Sequence, residues 1–483
     1  MFPHLEIRKE IIPGSSVAVI IKGKKLPDWL VLTKTEHEYA KRLINEGKEI
    51  IFINSYYRLS IIIPEKEFPE PHRKYEELRR RAAKVRKILK DHKQKEITVY
   101  AGHDNASALT FAEGLILSSY EFNKYKKEGE KDDKPAYPTD IFLCGDFTED
   151  EVDWLSAVGR GVYFARDLVN EPNNYLNAAD FAGIVNQYAG SKGVKVDIYG
   201  KKKIEALRMG GILSVNKGSV DPPTFTILEW KPEGAFNRKP LVLVGKGVMF
   251  DTGGINLKPG NYIDNMKSDM AGGAVVAAVL SAIAEASINI HVVGLIPATD
   301  NRPGSDAIVP GDIITMYDGT RVEIINTDAE GRLILADALS FAENYDPSLI
   351  VSIATLTGSA ENAFGNQAVA AMTNAGRDVF NLLLDSGNAV YERLAEMPFF
   401  EEYGEMIKSK IADIKNLGDK KAGAITAGKF LEHFASSPLI HLDIAGCALS
   451  GEDEHYRPGG GTGTGVRLLA DFIKRMAELK KEQ

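Results

Sequence analysis

The sequence predicts an α/β protein of two domains, the larger C-terminal one a mainly parallel sheet covered by helices on both faces. Three observations carry that expectation. The 483 residues exceed what one small domain needs and leave ample length for a sizeable core. Apolar runs of strand length alternate with helical patterns through most of the chain, and strands separated by helices pair in parallel. Charged and polar residues fall just past the carboxyl ends of several of those runs, where open α/β sheets place their ligands.

In chain order, "SVAVIIKG", "EIIFINS", "RLSIIIP", "EITVYAG" and "DIFLCG" read as strands of a first α/β domain, residues 1–155. Between them Leu78, Ala82, Val85 and Leu89 recur at helical spacing in a stretch rich in lysine and arginine, read as a helix with a solvated outer face. A charged, proline-containing stretch at 126–140, "KKEGEKDDKPAYPTD", reads as a loop. A helix near 150–172 links this domain to a second, residues 156–483. There the strand candidates are "KVDIYG", "TFTILEW", "PLVLVGK", "INIHVVGLIP", "RVEIIN", "SLIVSIAT" and "LIHLDIAG", with helices such as "NMKSDMAGGAVVAAVLSAIAEA" and "RLILADALSFAENY" between several of them. The run "GGGTGTG" at 459–465 lacks the GK[ST] of a phosphate loop and reads as a turn before a terminal helix.

Composition narrows the function classes. With 44% hydrophobic and 26% charged residues the chain has ordinary globular make-up, and a net charge of -8 gives no general pull toward nucleic acid or an anionic membrane. Its two cysteines, Cys144 and Cys447, form no CxxC pair, which leaves no disulfide framework or thiolate zinc site and suits a reducing compartment. The opening "MFPHLEIRKE" lacks the basic-then-apolar order of a signal peptide, and no apolar run reads as long enough to cross a bilayer. A cytoplasmic location is expected.

The chemistry concentrates in two stretches. "EIINTDAEGRLILADAL", residues 323–339, sets Asp328, Glu330 and Arg332 between two apolar runs, and burying unpaired carboxylates side by side is costly. Residues 244–274, "VGKGVMFDTGGINLKPGNYIDNMKSDMAGGA", add Lys246, Asp251, Lys258 and Asp269 among glycines and apolar residues. Taken singly, each carboxylate reads as half of a loop-holding ion pair, such as Lys258 with Asp269. Taken together, four carboxylates exceed two lysines. Two divalent cations would cancel Asp251, Asp269, Asp328 and Glu330, and bridging carboxylates suit metals ~3.5–4 Å apart. No histidine falls in these stretches, and His291, His433 and His441 read as core residues. The donor set is therefore oxygen-rich, suited to Mn²⁺ or Mg²⁺ and open to Zn²⁺.

"NTDAEGRL" with "VGKGVMFDTGG", "LKP" and "SDMAGGA" resembles the leucyl aminopeptidase family of two-metal exopeptidases. The likeness runs from "ARDLVNEPNNYLNAADFA" to the end of the chain and includes "ATLTGS", "IADIKNLG" and "LIHLDIAG". The resemblance implies a tighter metal site of Lys246, Asp251, Asp269 and Glu330, and a more exchangeable one of Asp251, Asp328 and Glu330. It implies that Lys258 polarises the scissile carbonyl and that Arg332 holds a bicarbonate relaying the proton of the attacking water. Met266, Thr355, Gly358 and Ala445 would form the wall of a pocket for leucine-like side chains. The implied substrate is a peptide with a free amino terminus, and the implied assembly is a homohexamer. Thr252 stands where the family commonly has serine, and "MKSDM" replaces "MRADM"; neither change touches a position implied to bind metal. Two other readings exist among relatives: a DNA-binding regulator, which the basic helix around Arg79 to Lys90 favours and the acidic total opposes, and an inactive structural hexamer, which the intact Asp251, Asp269, Asp328, Glu330, Lys258 and Arg332 oppose.

Overall fold

A computed structural model describes residues 2–56, 58–127, 137–419 and 421–479. Residues 128–136 of the expected loop at 126–140 lie outside the described residues. The chain divides into two compact units: Met1–Tyr163 with Glu452–Gly459, and Phe164–Gly451 with Gly460–Gln483. The expected linker region lies largely in one helix, Glu149–Asn170, within which that division falls.

The first unit contains β1 (His4–Arg8), β2 (Val17–Ile21), α1 (Lys34–Asn45), β3 (Ile51–Asn54), β4 (Leu59–Pro64), α2 (Pro71–Asp91), β5 (Glu96–Tyr100), α3 (Asn105–Ser118), β6 (Asp140–Cys144) and the start of α4 (Glu149–Asn170). Its sheet runs β1-β6-β5-β2-β4-β3, parallel throughout except for β3, which lies antiparallel to β4 at the edge. All five residues of β2 are buried, as expected of a strand covered on both faces. One face packs Leu78, Val85 and Leu89 of α2 with Phe111 and Leu115 of α3, and the other packs Ala40 and Ile44 of α1. Thr33 starts α1 with a capping box: its hydroxyl accepts from Glu36 N, and Glu36 accepts from Thr33 N.

The outer face of α2 is not simply solvated. Arg79 and Arg81 are buried, Arg79 against Glu113 and Arg81 against Glu77 at 2.9 Å, with Arg81 Nη1 also donating to Pro64 O at 2.6 Å. A guanidinium can be buried when a carboxylate meets its charge with hydrogen bonds, and helical spacing alone does not reveal those partners.

The second unit continues with α5 (Ala178–Gly190), β7 (Lys195–Gly200), α6 (Lys201–Ala206), α7 (Gly210–Asn216), β8 (Thr224–Trp230), β9 (Leu241–Gly245), β10 (Gly247–Asp251), α8 (Ala271–Glu285), β11 (Val292–Asn301), β12 (Ile313–Thr315), β13 (Arg321–Glu323), α9 (Gly331–Ala342), β14 (Leu349–Ala354), α10 (Gly358–Phe364) and β15 (Val369–Thr373). After these come α11 (Arg377–Val390), β16 (Leu394–Glu396), α12 (Glu402–Glu405), β17 (Ile414–Lys415), α13 (Gly423–Glu432), β18 (Leu439–Asp443), β19 (Leu449–Ser450), β20 (Gly460–Gly461) and α14 (Val466–Leu479). Among the described residues the main sheet has nine strands, in the order β16-β15-β18-β14-β9-β11-β8-β7, with β10 added on β11. The centre, β18-β14-β9-β11, is parallel; β8, β7 and β15 are set antiparallel to their inner neighbours.

Two expectations are corrected here. The stretch Gly260–Glu285 is long and apolar enough to cross a membrane by length and composition. It is nevertheless a core element: its most apolar 18 residues are 94% buried, two 3-10 turns break it, and the α-helix begins only at Ala271. Being apolar on every side, α8 buries every residue from Ala271 to Ala284 in the unit's interior. "RVEIIN" is also not a strand of the main sheet. Its β13 joins a small sheet, β12-β13-β17, so Asp328 enters from beside the main sheet and not off one of its strand ends.

Candidate metal centre

Lys246 follows β9, and its backbone is pinned on both sides: its N donates to Ile353 O at 3.2 Å and its O accepts from Gly273 N at 2.7 Å. Asp251 ends β10, opposite Asn301 at the end of β11, and Asn301 Nδ2 donates to Asp251 Oδ1 at 2.8 Å. The turn after Asp251 needs Gly253, which has φ +87° and whose Cβ would lie 2.4 Å from Asn256 O. That turn returns Lys258 to the site, with Lys258 N bonded to Thr252 O. Asp269 closes the 3-10 turn Met266–Ser268, just before α8.

Asp328 and Glu330 lie on the loop from β13 to α9. Thr327 stitches this loop to the first, donating Oγ1 to Gly253 O at 2.6 Å and accepting from Asn256 N at 2.9 Å. At Gly331 a Cβ would lie 2.5 Å from Lys246 Cε, so the residue between Glu330 and Arg332 must stay bare for Lys246 to reach the cluster.

The six charges interlock. Lys246 Nζ lies 2.6 Å from Asp269 Oδ2 and 3.0 Å from Glu330 Oε1, and donates to Thr355 O at 2.9 Å. Lys258 Nζ lies 2.8 Å from Asp251 Oδ2 and 2.6 Å from Asp328 Oδ1, so its partners are these two and not Asp269. One oxygen each of Asp251, Asp328 and Glu330 lies within 4.8 Å of the others. Asp269 Oδ2 and Asp328 Oδ1 are met only by the lysine ammonium groups, and Glu330 Oε2 is buried without a hydrogen bond.

Burial pushes Glu330 up to about 8 and Asp269 up to about 6, and raises Asp328 as well. Burial alone would lower Lys246, but Asp269, Glu330 and Asp251 outweigh it and hold the ammonium firmly; Asp251, Glu330 and Asp328 do the same for Lys258. Four carboxylates thus face two ammonium groups, and Glu330 Oε2 keeps no partner. That donor set fits hard divalent cations, which Lys246 could join only as a neutral amine, without the proton it holds here.

Arg332 is buried beside this cluster. Its Nη1 donates to Asn416 O at 2.8 Å, and Nε has no hydrogen-bond partner. Burial lowers it to about 10, which leaves a cation at neutral pH. His441 is held neutral, pushed down to about 3 by burial and by Arg332. His291 pairs with Glu229 at 3.0 Å and His433 lies edge-on to Phe434; none of the three lines the cleft.

Met266, Thr355, Gly358 and Ala445 line the same cleft of about 470 Å³ as the charged cluster. Thr355 also supports the charges, since its hydroxyl donates to Asp269 Oδ1 at 2.7 Å. The sequence reading passed over Tyr262 and Leu417 in the lining, Asn301 behind Asp251, and Asp443, which accepts from Leu356 N, Ala445 N and the Thr357 hydroxyl. Asp443 and Leu417 sit inside "LIHLDIAG" and "IADIKNLG", stretches singled out by resemblance with no role attached. Nothing in the sequence marked Asn301.

An α/β fold with this acid-rich cleft defines a hydrolase of the metal-dependent kind. Residues 163–470 match the cytosol aminopeptidase family, catalytic domain, and residues 66–129 match the N-terminal domain of the same family. The chain is 45% identical over 381 residues to a probable cytosol aminopeptidase of Chlorobaculum tepidum, covering 76% of this chain and 75% of the relative. It is 44% identical over 391 residues to a probable cytosol aminopeptidase of Chloroherpeton thalassium, covering 76% and 75%. Among solved structures it resembles the bottromycin maturation enzyme BotP in complex with Mn, at TM-score 0.82 and 26% identity over 96% of this chain and 99% of that one. The chain belongs to the cytosol aminopeptidase family, whose members depend on two metal ions. It is a metallo-exopeptidase that releases amino acids from the amino termini of peptides.

Proposed function

We propose that Lys246, Asp251, Asp269 and Glu330 hold the tighter of two divalent ions, and that Asp251, Asp328 and Glu330 hold the more exchangeable one. The observation that carries this reading is the imbalance of four carboxylates, three buried and Asp328 half-buried, over two lysines, with Glu330 Oε2 left without a partner. Bound there, Mn²⁺, Zn²⁺ or Mg²⁺ supplies Lewis acidity and a water ionised near neutral pH.

The chain's own residues do the rest. Lys258, freed from Asp251 and Asp328 once their charge is met, keeps its proton and donates to the carbonyl oxygen of the scissile bond, where negative charge develops. Arg332 would hold a bicarbonate through its unbonded Nε, and the anion would supply a base for the water's proton. Thr355 keeps Lys246 and Asp269 in register through its carbonyl and hydroxyl. Met266, Thr355, Gly358 and Ala445 receive the first side chain, and the adaptable methionine admits leucine-like groups without strict selection.

This reading places catalysis in residues 156–483, beside an α/β domain of residues 1–155, in a cytoplasmic homohexamer. The hexamer fails if light scattering finds a monomer at micromolar concentration. The test of function is hydrolysis of aminoacyl amides by protein stripped of metal and reloaded with Mn²⁺, Zn²⁺ or Mg²⁺. Restored release of leucine from Leu-amide is expected. Equal activity in the stripped and reloaded protein would refute the reading.

A further inference from the structure

The stretch "IADIKNLG" has no role in the chemistry above, yet its Asn416 is fully buried and bonded on every side. Its Oδ1 accepts from Ile325 N at 2.8 Å, and its Nδ2 donates to Asn326 O at 2.7 Å. A longer contact, 3.4 Å, reaches Ala329 O. These groups flank Asp328 and precede Glu330 on the acidic loop. The main-chain carbonyl of the same residue takes the Nη1 proton of Arg332 at 2.8 Å, and its N–H donates to Glu323 O at 2.9 Å. The Arg332 guanidinium makes no other hydrogen bond through Nε.

We propose that Asn416 is a positioning residue, a clamp that sets the Arg332 guanidinium against the loop carrying Asp328 and Glu330. The inference rests on the roles given above to Arg332 and to the two acids. The amide suits the task because it offers an acceptor and two donors from one rigid plane, matched to backbone N–H and C=O groups on one loop. A carboxylate would face two carbonyl oxygens with no proton to give, and an alkyl side chain would leave buried backbone groups unbonded. The carbonyl that orients Arg332 belongs to the residue whose side chain fixes the loop. Movement of one therefore moves the other, and the two should be energetically coupled.

The test is a double-mutant cycle of Asn416→Ala and Arg332→Ala at saturating Mn²⁺, with Mn²⁺ binding measured calorimetrically on the same proteins. In the parental background Asn416→Ala should lower kcat about 30-fold with KM within about 3-fold, whereas in the Arg332→Ala background it should cost less than about 3-fold, since residues acting through one another are not additive. Asn416→Ala should also bind one of the two Mn²⁺ ions about 10-fold more weakly, the loss typical of an outer-shell partner. A merely structural residue would lower stability and the active fraction equally in both backgrounds. Two losses that multiply independently, or Mn²⁺ binding as tight as in the parent, would overturn the clamp alone. A parental kcat in Arg332→Ala itself would overturn the role given to Arg332 and the clamp with it.

Discussion

Among the described residues two clusters of charge, one in each unit, are built to different rules. On α2 of the first unit the buried and half-buried arginines are met by carboxylates: Arg79 with Glu113, Arg80 with Glu76 at 2.8 Å, Arg81 with Glu77, and Arg86 with Glu121 at 2.5 Å, a glutamate that Lys90 shares. Neighbouring groups add to the match, as where the Tyr456 hydroxyl donates to Glu76 at 2.8 Å. In the second unit two lysines are shared among four carboxylates, and Glu330 Oε2 meets neither of them. Balanced charge holds structure, and unbalanced charge awaits a ligand. The same contrast disfavours a nucleic-acid role for α2, whose arginines are occupied by glutamates within the unit.

Substitutions can break or sharpen that contrast. The largest effect should follow Glu330→Gln, which removes one of four charges and a bridging oxygen; activity should fall below ~10⁻³ of parental because metal-assisted hydrolysis needs both ions. Lys258→Ala and Arg332→Ala should each lower kcat by ~10²–10³, the usual cost of a lost transition-state donor, while elemental analysis still finds parental metal. Loss of metal from either would show that the roles are misassigned. On the balanced side, Glu113→Gln should cost ~3 kcal/mol by taking from the buried Arg79 its nearest carboxylate and leaving Glu76 at 3.8 Å. Thermal melting should register that loss while metal content and kcat/KM of the folded protein stay parental.

The smallest effect is a pH dependence of the metal-free protein. Glu330 is raised from 4.5 to about 8 and Asp269 from 3.8 to about 6, both by burial, so the folded state holds more protons than the unfolded chain between those limits. Stability should therefore fall as pH rises from about 4 to about 8, the sign that linkage requires for raised carboxylates. Melts of chelator-treated protein at pH 5, 6.5 and 8 should show the decline, and saturating Mn²⁺ should flatten it. A melting temperature that rises across that range without metal would contradict the charge imbalance.

Much of this was legible in the sequence, for physical reasons that also mark its limits. "SVAVIIKG", "LVLVGK" and "IVSIA" announce buried parallel strands because both of their faces are apolar. "RVEIIN" has the same look but pairs in the small three-stranded sheet, since partner choice is not written in a short apolar run. The charged site residues stand out because an excess of acids in apolar surroundings demands an explanation. Asn301 and Asn416 do not, because a neutral amide leaves no imbalance to notice; only its bonds reveal it. The buried arginines of α2 were hidden for a related reason. The partner of Arg79 on α3 lies 34 residues away, beyond the reach of helical periodicity.

The central claim is that Glu330 joins two metal ions in one acid-rich cluster. It is tested most directly by metal stoichiometry after exhaustive dialysis, measured by elemental analysis on the parent, Asp269→Asn and Glu330→Gln. The account predicts two ions per chain in the parent. It predicts one retained and one weakened in Asp269→Asn, which touches only the tighter site, and at most one in a folded, almost inactive Glu330→Gln. Two ions per chain with near-parental peptidase activity in Glu330→Gln would contradict it.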